Sequence, residues 1–204
     1  MYTPDIYKNE NQEEIKEFLR ENSFGILINQ TNGKLCATHI PLELETTADG
    51  KDILYGHISA ENPQAQGLQN NDEVLAVFSG PHSYISSSWY DHENVPTWNY
   101  IAVHVCGKIK IIEGEAVIES LKKLVDKYEK NFKNPIQVEN LSKKTMMQSR
   151  GIIAFEIDIT EIQATKKMSQ NRDDKNYQNI IIELKKINTN QSIAVANEMK
   201  KCPI

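Results

Sequence analysis

The stretch FGILINQTNGKLCATHIPLELETTADGKDILYGHI, residues 24–58, decides the fold. It reads as three strands separated only by turns. Residues 24–29 form a short apolar run. Residues 30–34 contain Asn32-Gly33, a dipeptide that accepts positive φ at both central positions of a tight hairpin. Residues 35–44 return as the partner strand, and a turn with Asp49-Gly50 at its tip leads into a third strand at 53–58. Three strands in succession with no helix between them predict antiparallel pairing. A doubly wound parallel sheet would need a crossover after each strand.

The flanking sequence extends this pattern. Ile15, Phe18 and Leu19 recur at helical spacing within 12–21, behind an acidic first turn. Asn62-Pro63 opens a short helix at 63–68. Residues 73–78 are nearly all apolar, as in a strand buried on both faces. Residues 80–97, rich in Ser, Pro and aromatics, show no helical period and read as a long loop. A long strand at 99–113 and an amphipathic helix at 116–132, with Leu121, Leu124, Val125 and Tyr128 on one side, follow. At 151–161, Ile153, Phe155, Ile157 and Ile159 alternate with polar residues, the mark of a half-buried strand. Helices at 176–187 and 193–201 close the chain. About six strands in hairpins, with helices at ends and crossings, predict a mainly β protein with peripheral helices, an antiparallel β-barrel. No repeat or low-complexity linker divides residues 1–204, so the expectation is a single domain with a helical segment from 174 onward.

The bulk numbers narrow the class. With 39% hydrophobic and 25% charged residues the composition is that of an ordinary soluble chain. The apolar runs, such as 101–105, are strand-length, and the N-terminus lacks a basic region followed by an apolar stretch, so a cytoplasmic protein is expected. Cys36, Cys106 and Cys202 are sparse, odd in number and widely separated, which fits a reducing compartment without a disulfide framework. A net charge of −5 lowers the expectation of direct DNA binding, since phosphate-gripping proteins present a basic face.

Four stretches carry chemistry: Thr38-His39-Ile40-Pro41, residues 56–64 with His57, residues 80–100, and Met168-Ser169-Gln170-Asn171-Arg172. Both tryptophans, Trp89 and Trp98, lie in the third, among tyrosines and hydroxyls. Such a mixture offers stacking faces and edge hydrogen bonds to a flat polar heterocycle, and equally suits a packed cap on a barrel. His39 and His57 end successive strands, but no HxH or HExxH spacing supports a metal, and none is expected. Lys166, Lys167 and Arg172 place three cations just past a strand, in a cluster that suits a phosphate or a solvated basic turn. GxGxxG and GxxxxGK[ST] are absent, so a bound nucleotide would be held by side chains on a barrel.

At these residues the sequence resembles the PaiB family, a branch of the FMN-binding split barrels related to pyridoxamine-phosphate oxidases. The resemblance rests on the opening MYTP, HIP at 39–41, GHISAENPQ at 56–64, the block from Phe78 to Tyr90, VPTWNY at 95–100 and SQNR at 169–172, in order along nearly the whole chain. It implies an antiparallel split barrel that forms a homodimer, with FMN near the dimer interface, and the family's label of negative transcriptional regulator.

Under that resemblance Thr38, His57, Thr97, Asn99, Lys167, Ser169 and Arg172 would supply phosphate, ribityl or ring-edge contacts, with His39 and Gln170 beside them. Trp89 or Trp98 would cover the isoalloxazine. His57 and His82 are the candidates for a general acid or base. Three readings stay open: a flavin-dependent oxidoreductase, a dimeric scaffold or regulator without flavin that meets DNA or a protein partner, and a haem-binding or haem-degrading barrel with His39, His57 or His82 as axial ligand.

Overall fold

The computed structural model describes residues 1–202. Six strands, β1 (Phe24–Thr31), β2 (Lys34–Thr46), β3 (Asp52–Ser59), β4 (Glu73–Ile85), β5 (Thr97–Ile112) and β6 (Ile152–Lys167), form a closed barrel in the order β1-β2-β3-β6-β5-β4. The helices are α1 (Gln12–Glu21), α2 (Pro63–Gln66), α3 (Glu115–Glu129), α4 (Lys143–Met146), α5 (Asp174–Ile187) and α6 (Asn190–Lys201). Among the described residues, no helix is long and apolar enough to cross a membrane.

The opening hairpin forms as its sequence predicts. Asn32 at φ 51° and Gly33 at φ 74° occupy the tip, and the register runs from Thr31 opposite Lys34 back to Phe24 opposite Pro41. Contacts divide the chain into two compact units, one of Leu19–Val77 with Val105–Ile162, the other of Met1–Phe18, Phe78–His104 and the chain from Gln163 onward.

In the first unit, inward positions of the strands supply a core including Leu27, Leu42, Leu54, Ile58, Ile109, Phe155 and Ile157. Their neighbours in sequence face outward, and α3 covers part of that outer face. Glu43, only 3% exposed, accepts from Lys127 Nζ at 2.5 Å and Tyr128 Oη at 2.9 Å. Lys123 bonds both oxygens of Glu45 and lies 5.9 Å from the Tyr55 ring centroid. A carboxylate this buried is tolerated because its charge and lone pairs are met.

The second unit is organised around the α5–α6 hairpin. Asp173 caps α5 by accepting from Asn176 N–H, Asn188 ends it at φ 58°, and Thr189 and Ser192 form a capping box on α6. Tyr177, Ile180, Leu184, Val195, Ala196 and Met199 fill the hairpin interior together with Ile85, Tyr90, Ile101 and Met168.

Two strands outrun the expectation. The segment read as a loop from Gly80 continues β4 as far as Ile85, and only Ser86–Pro96 leave the sheet, with a short 3-10 turn at Ser87–Trp89. The alternation is hidden in the sequence because Gly80 is an inward residue. A Cβ there would stand 2.6 Å from the Phe18 ring, so the missing side chain is the space Phe18 occupies. Strand β6 likewise continues through Ala164 and Thr165 to Lys167, which puts both lysines on a strand rather than in a turn.

Candidate functional site

The end of β6 and the turn after it build the site. Ser169 has φ 59°, a left-handed conformation uncommon outside glycine, and its neighbours hold it there. Gln170 Oε1 accepts from Met168 N–H at 2.7 Å, while its Nε2 donates to Lys166 O at 2.7 Å and Ile6 O at 3.2 Å. Arg172 N–H donates to Ser169 O at 3.0 Å. Ser169 Oγ donates to Asn99 Oδ1 at 3.0 Å, and Asn99 Nδ2 lies 3.6 Å from Met199 Sδ. Asn99 is fully buried, so it positions the turn from within.

The three cations part company here. Lys166 bonds Glu14 Oε1 at 2.5 Å and lies 3.3 Å from Glu198 Oε2. Burial opposes its charge, but the two carboxylates prevail and raise its pKa. Lys167 donates to Thr97 Oγ1 at 2.5 Å and sits 5.5 Å from the Tyr7 ring centroid. Burial, then the Arg172 charge, push its pKa down. The Arg172 guanidinium lies 5.0 Å from the Tyr90 ring centroid. Among the described residues neither Lys167 nor Arg172 is paired with a carboxylate. Tyr90, whose ring lies beneath Arg172, is 8% exposed, and its hydroxyl has no hydrogen-bond partner among the described residues. Two cations that feel one another's charge and have no carboxylate partner among the described residues suit an anion.

The remaining candidates lie apart from this turn or have other partners. Trp98, 52% exposed, follows Thr97 on β5 and therefore presents to the opposite face, where Tyr84 meets it edge-on at 6.0 Å and His82 tilts against it at 6.3 Å. The Trp89 ring packs against the α5–α6 core, and its carbonyl accepts from Asn179 Nδ2 at 2.6 Å. His82 Nδ1 lies 3.2 Å from Gly80 O. In the other unit, Thr38 Oγ1 donates to Gln64 Oε1 at 2.5 Å and accepts from Asn62 Nδ2 at 3.0 Å. Gln64, 2% exposed, is itself tied to Leu27 O. His39 is exposed beside the Phe24 ring, at 6.3 Å. His57 is half-buried opposite Ala154, and burial pushes its pKa down. No three His, Cys, Asp or Glu among the described residues gather as a metal site. Tyr90, Asn62 and Gln64 lie within the stretches that carry chemistry but are not named as site residues, and Tyr7 lies outside those stretches, because their roles depend on partners distant along the chain.

Residues 1–161 match the family model described as "Putative FMN-binding domain". The chain belongs to this family. The match stops short of the Lys167–Arg172 turn, but similarity to a curated relative extends over 98% of the chain. The chain is 44% identical over 185 residues to the "Protease synthase and sporulation protein PAI 2" of Bacillus subtilis, covering 90% of this chain and 89% of that one. An uncharacterised protein of Emericella nidulans is 27% identical over 98% of this chain and 97% of its own length. The fold is similar to that of the FAD and heme binding protein of Mycobacterium smegmatis, with TM-score 0.64 and 14% identity over 84% of this chain and 78% of that one. It is also similar to the flavocytochrome Anf3 of Azotobacter vinelandii, with TM-score 0.60 and 18% identity over 87% and 78%. At such identities the structural likeness speaks to the fold alone, which is the antiparallel split barrel of flavin-binding proteins. This PaiB-like member carries that barrel with flanking helices.

Proposed function

We propose that this protein binds FMN and grips its phosphate at the turn that follows β6. The observation that carries the reading is the pair Lys167 and Arg172, cations at the end of β6 and in the turn after it, without carboxylate partners among the described residues and joined through Ser169 in a left-handed conformation. Lys167 and Arg172 would hold the phosphate oxygens by charge-assisted hydrogen bonds, and Thr97 would orient Lys167. Asn99, Ser169 and Gln170 would keep the turn in place without touching the ligand. When bound, FMN supplies reversible electron transfer at its ring, while the protein contributes binding and orientation.

The test is the visible spectrum of the purified protein before and after FMN is added, followed by gel filtration. Flavin absorbance that elutes with the protein is expected. A colourless protein that releases added FMN entirely would remove the reading.

We read the working form as a cytoplasmic homodimer. Three free cysteines are consistent with a reducing compartment, and the exposed group of His82, Tyr84 and Trp98 offers a second protomer an aromatic surface. Light scattering of wild type and Trp98→Asp tests the dimer; a wild-type monomer would overturn it. The Bacillus subtilis relative is named for protease synthase and sporulation, which favours a regulatory role as a second reading. Direct action on DNA would require binding that weakens steeply with salt, measured by fluorescence anisotropy.

A further inference from the structure

The two lysines that end β6 are neighbours with different surroundings. Lys166 meets two carboxylates, Glu14 and Glu198. Lys167 meets the Thr97 hydroxyl and the face of Tyr7, whose ring centroid lies 5.5 Å from Lys167 Nζ. Tyr7 comes from a distant part of the chain, and β6 with the turn after it holds it in place. A 3-10 turn, Asp5–Tyr7, is closed by Tyr7 N–H donating to Pro4 O at 2.9 Å. Gln170 Nε2 donates to Ile6 O at 3.2 Å, Lys8 forms a β-bridge with Thr165, and Asn9 N–H donates to Ala164 O at 3.0 Å. Asp5, the carboxylate of that turn, is paired with Lys8 at 2.7 Å. The segment therefore brings an aromatic face to Lys167 and keeps its own acid on another lysine.

A carboxylate and an aromatic face act differently on an ammonium. The carboxylate cancels its charge and occupies its donors. The ring attracts it through the quadrupole and fixes its place, but leaves the charge uncancelled. Thr97 accepts from one of the three N–H donors of Lys167, and two remain for a ligand. Arg172 repeats the pattern, with its guanidinium 5.0 Å from the Tyr90 ring centroid. We propose that Tyr7 is a positioning residue of the phosphate site, its ring seating Lys167 as a charged and unneutralised donor. This rests on the assignment of the phosphate to Lys167 and Arg172. Tyr7 acts through Lys167 with its ring face, so its hydroxyl is dispensable, and the segment around Asp5–Tyr7 becomes part of the flavin-binding site.

The experiment compares Tyr7→Phe with Tyr7→Leu, with FMN and riboflavin affinities measured by fluorescence titration. Lys167→Ala and the double variant Tyr7→Leu with Lys167→Ala complete a cycle, and Arg172→Ala serves as reference. Tyr7→Phe is expected to keep the FMN affinity of wild type, because the ring face is retained. Tyr7→Leu should lower FMN affinity about three- to ten-fold and leave riboflavin unchanged. That loss should vanish in the Lys167→Ala background, since the ring acts only through the lysine. Unchanged FMN affinity in Tyr7→Leu, while Arg172→Ala loses FMN, would overturn the Tyr7 assignment and leave the phosphate site standing. Equal losses in Tyr7→Phe and Tyr7→Leu would overturn it too, since the ring face would not be what matters. Equal losses for FMN and riboflavin, or a Tyr7→Leu loss that persists without Lys167, would report disturbed packing, with the same consequence. Wild type that binds riboflavin as tightly as FMN would remove the phosphate site itself and Tyr7 with it.

Discussion

Ser169 donates its hydroxyl to Asn99 Oδ1 at 3.0 Å, joining the turn after β6 to the interior of β5 with both residues sealed from solvent. Removing either partner strands a buried polar group, which costs about 1–3 kcal/mol. Asn99→Ala is expected to lower the melting temperature by several degrees, on the scale of ~2–4 °C per kcal/mol for a chain of this size. It should also weaken FMN binding, because the turn that carries Arg172 loses its anchor. Calorimetry and FMN titration of the same variant check both effects.

Arg172→Ala should weaken FMN binding by about 1.5–3 kcal/mol, roughly ten- to hundred-fold, and leave riboflavin nearly unaffected. Lys166→Ala should behave differently. Its charge is already matched by Glu14 and Glu198, so stability is expected to fall more than affinity does. Titration with FMN and thermal melts of both variants separate the role of Lys166 from that of Arg172.

Burial holds the His57 pKa below its ordinary value, so the folded state favours the neutral ring. The sign follows from linkage. Below the unfolded value of about 6.5 the unfolded chain binds the proton first, and the stability contributed by neutral His57 is lost as pH falls through the folded value. His104 shifts the same way, by burial and then by the charge of the N-terminal amine. Melting temperature should therefore decline from pH 7 to pH 5, and His57→Gln should flatten the slope. A slope unchanged in that variant would assign the decline to other groups.

Lys127 meets the buried Glu43 at 2.5 Å, and Tyr128 bonds the other oxygen. Lys127→Met would leave a buried carboxylate short of its counter-charge, at a cost of up to about 3 kcal/mol, reduced because the lysine is partly exposed. Adding Glu43→Gln should recover much of the loss. A double-mutant cycle by urea denaturation measures the coupling. Additive losses would show that the pair contributes little.

Where the chemistry of a segment is local, the amino-acid sequence alone was enough. Asn32-Gly33 dictates the first hairpin because only residues tolerant of positive φ fit its tip. The alternation of Ile153, Phe155 and Ile157 assigns β6, since a period of two has one strand-compatible reading. The succession of three strands without a crossover specifies antiparallel pairing, and the ordered motifs point to the flavin-binding family. What tertiary structure decided is which groups are left without partners. Lys166 and Lys167 are adjacent and identical in sequence, but Glu14 and Glu198 reach only the first. Gly80 read as a loop residue until Phe18, sixty-two positions earlier, filled its place on β4. Trp98 and Thr97 are neighbours in sequence, but the pleat of β5 turns them to opposite faces. Charge neutralisation and burial are sums over neighbours in space, so the site proposed at Lys167 and Arg172 arises only once distant segments have been brought together.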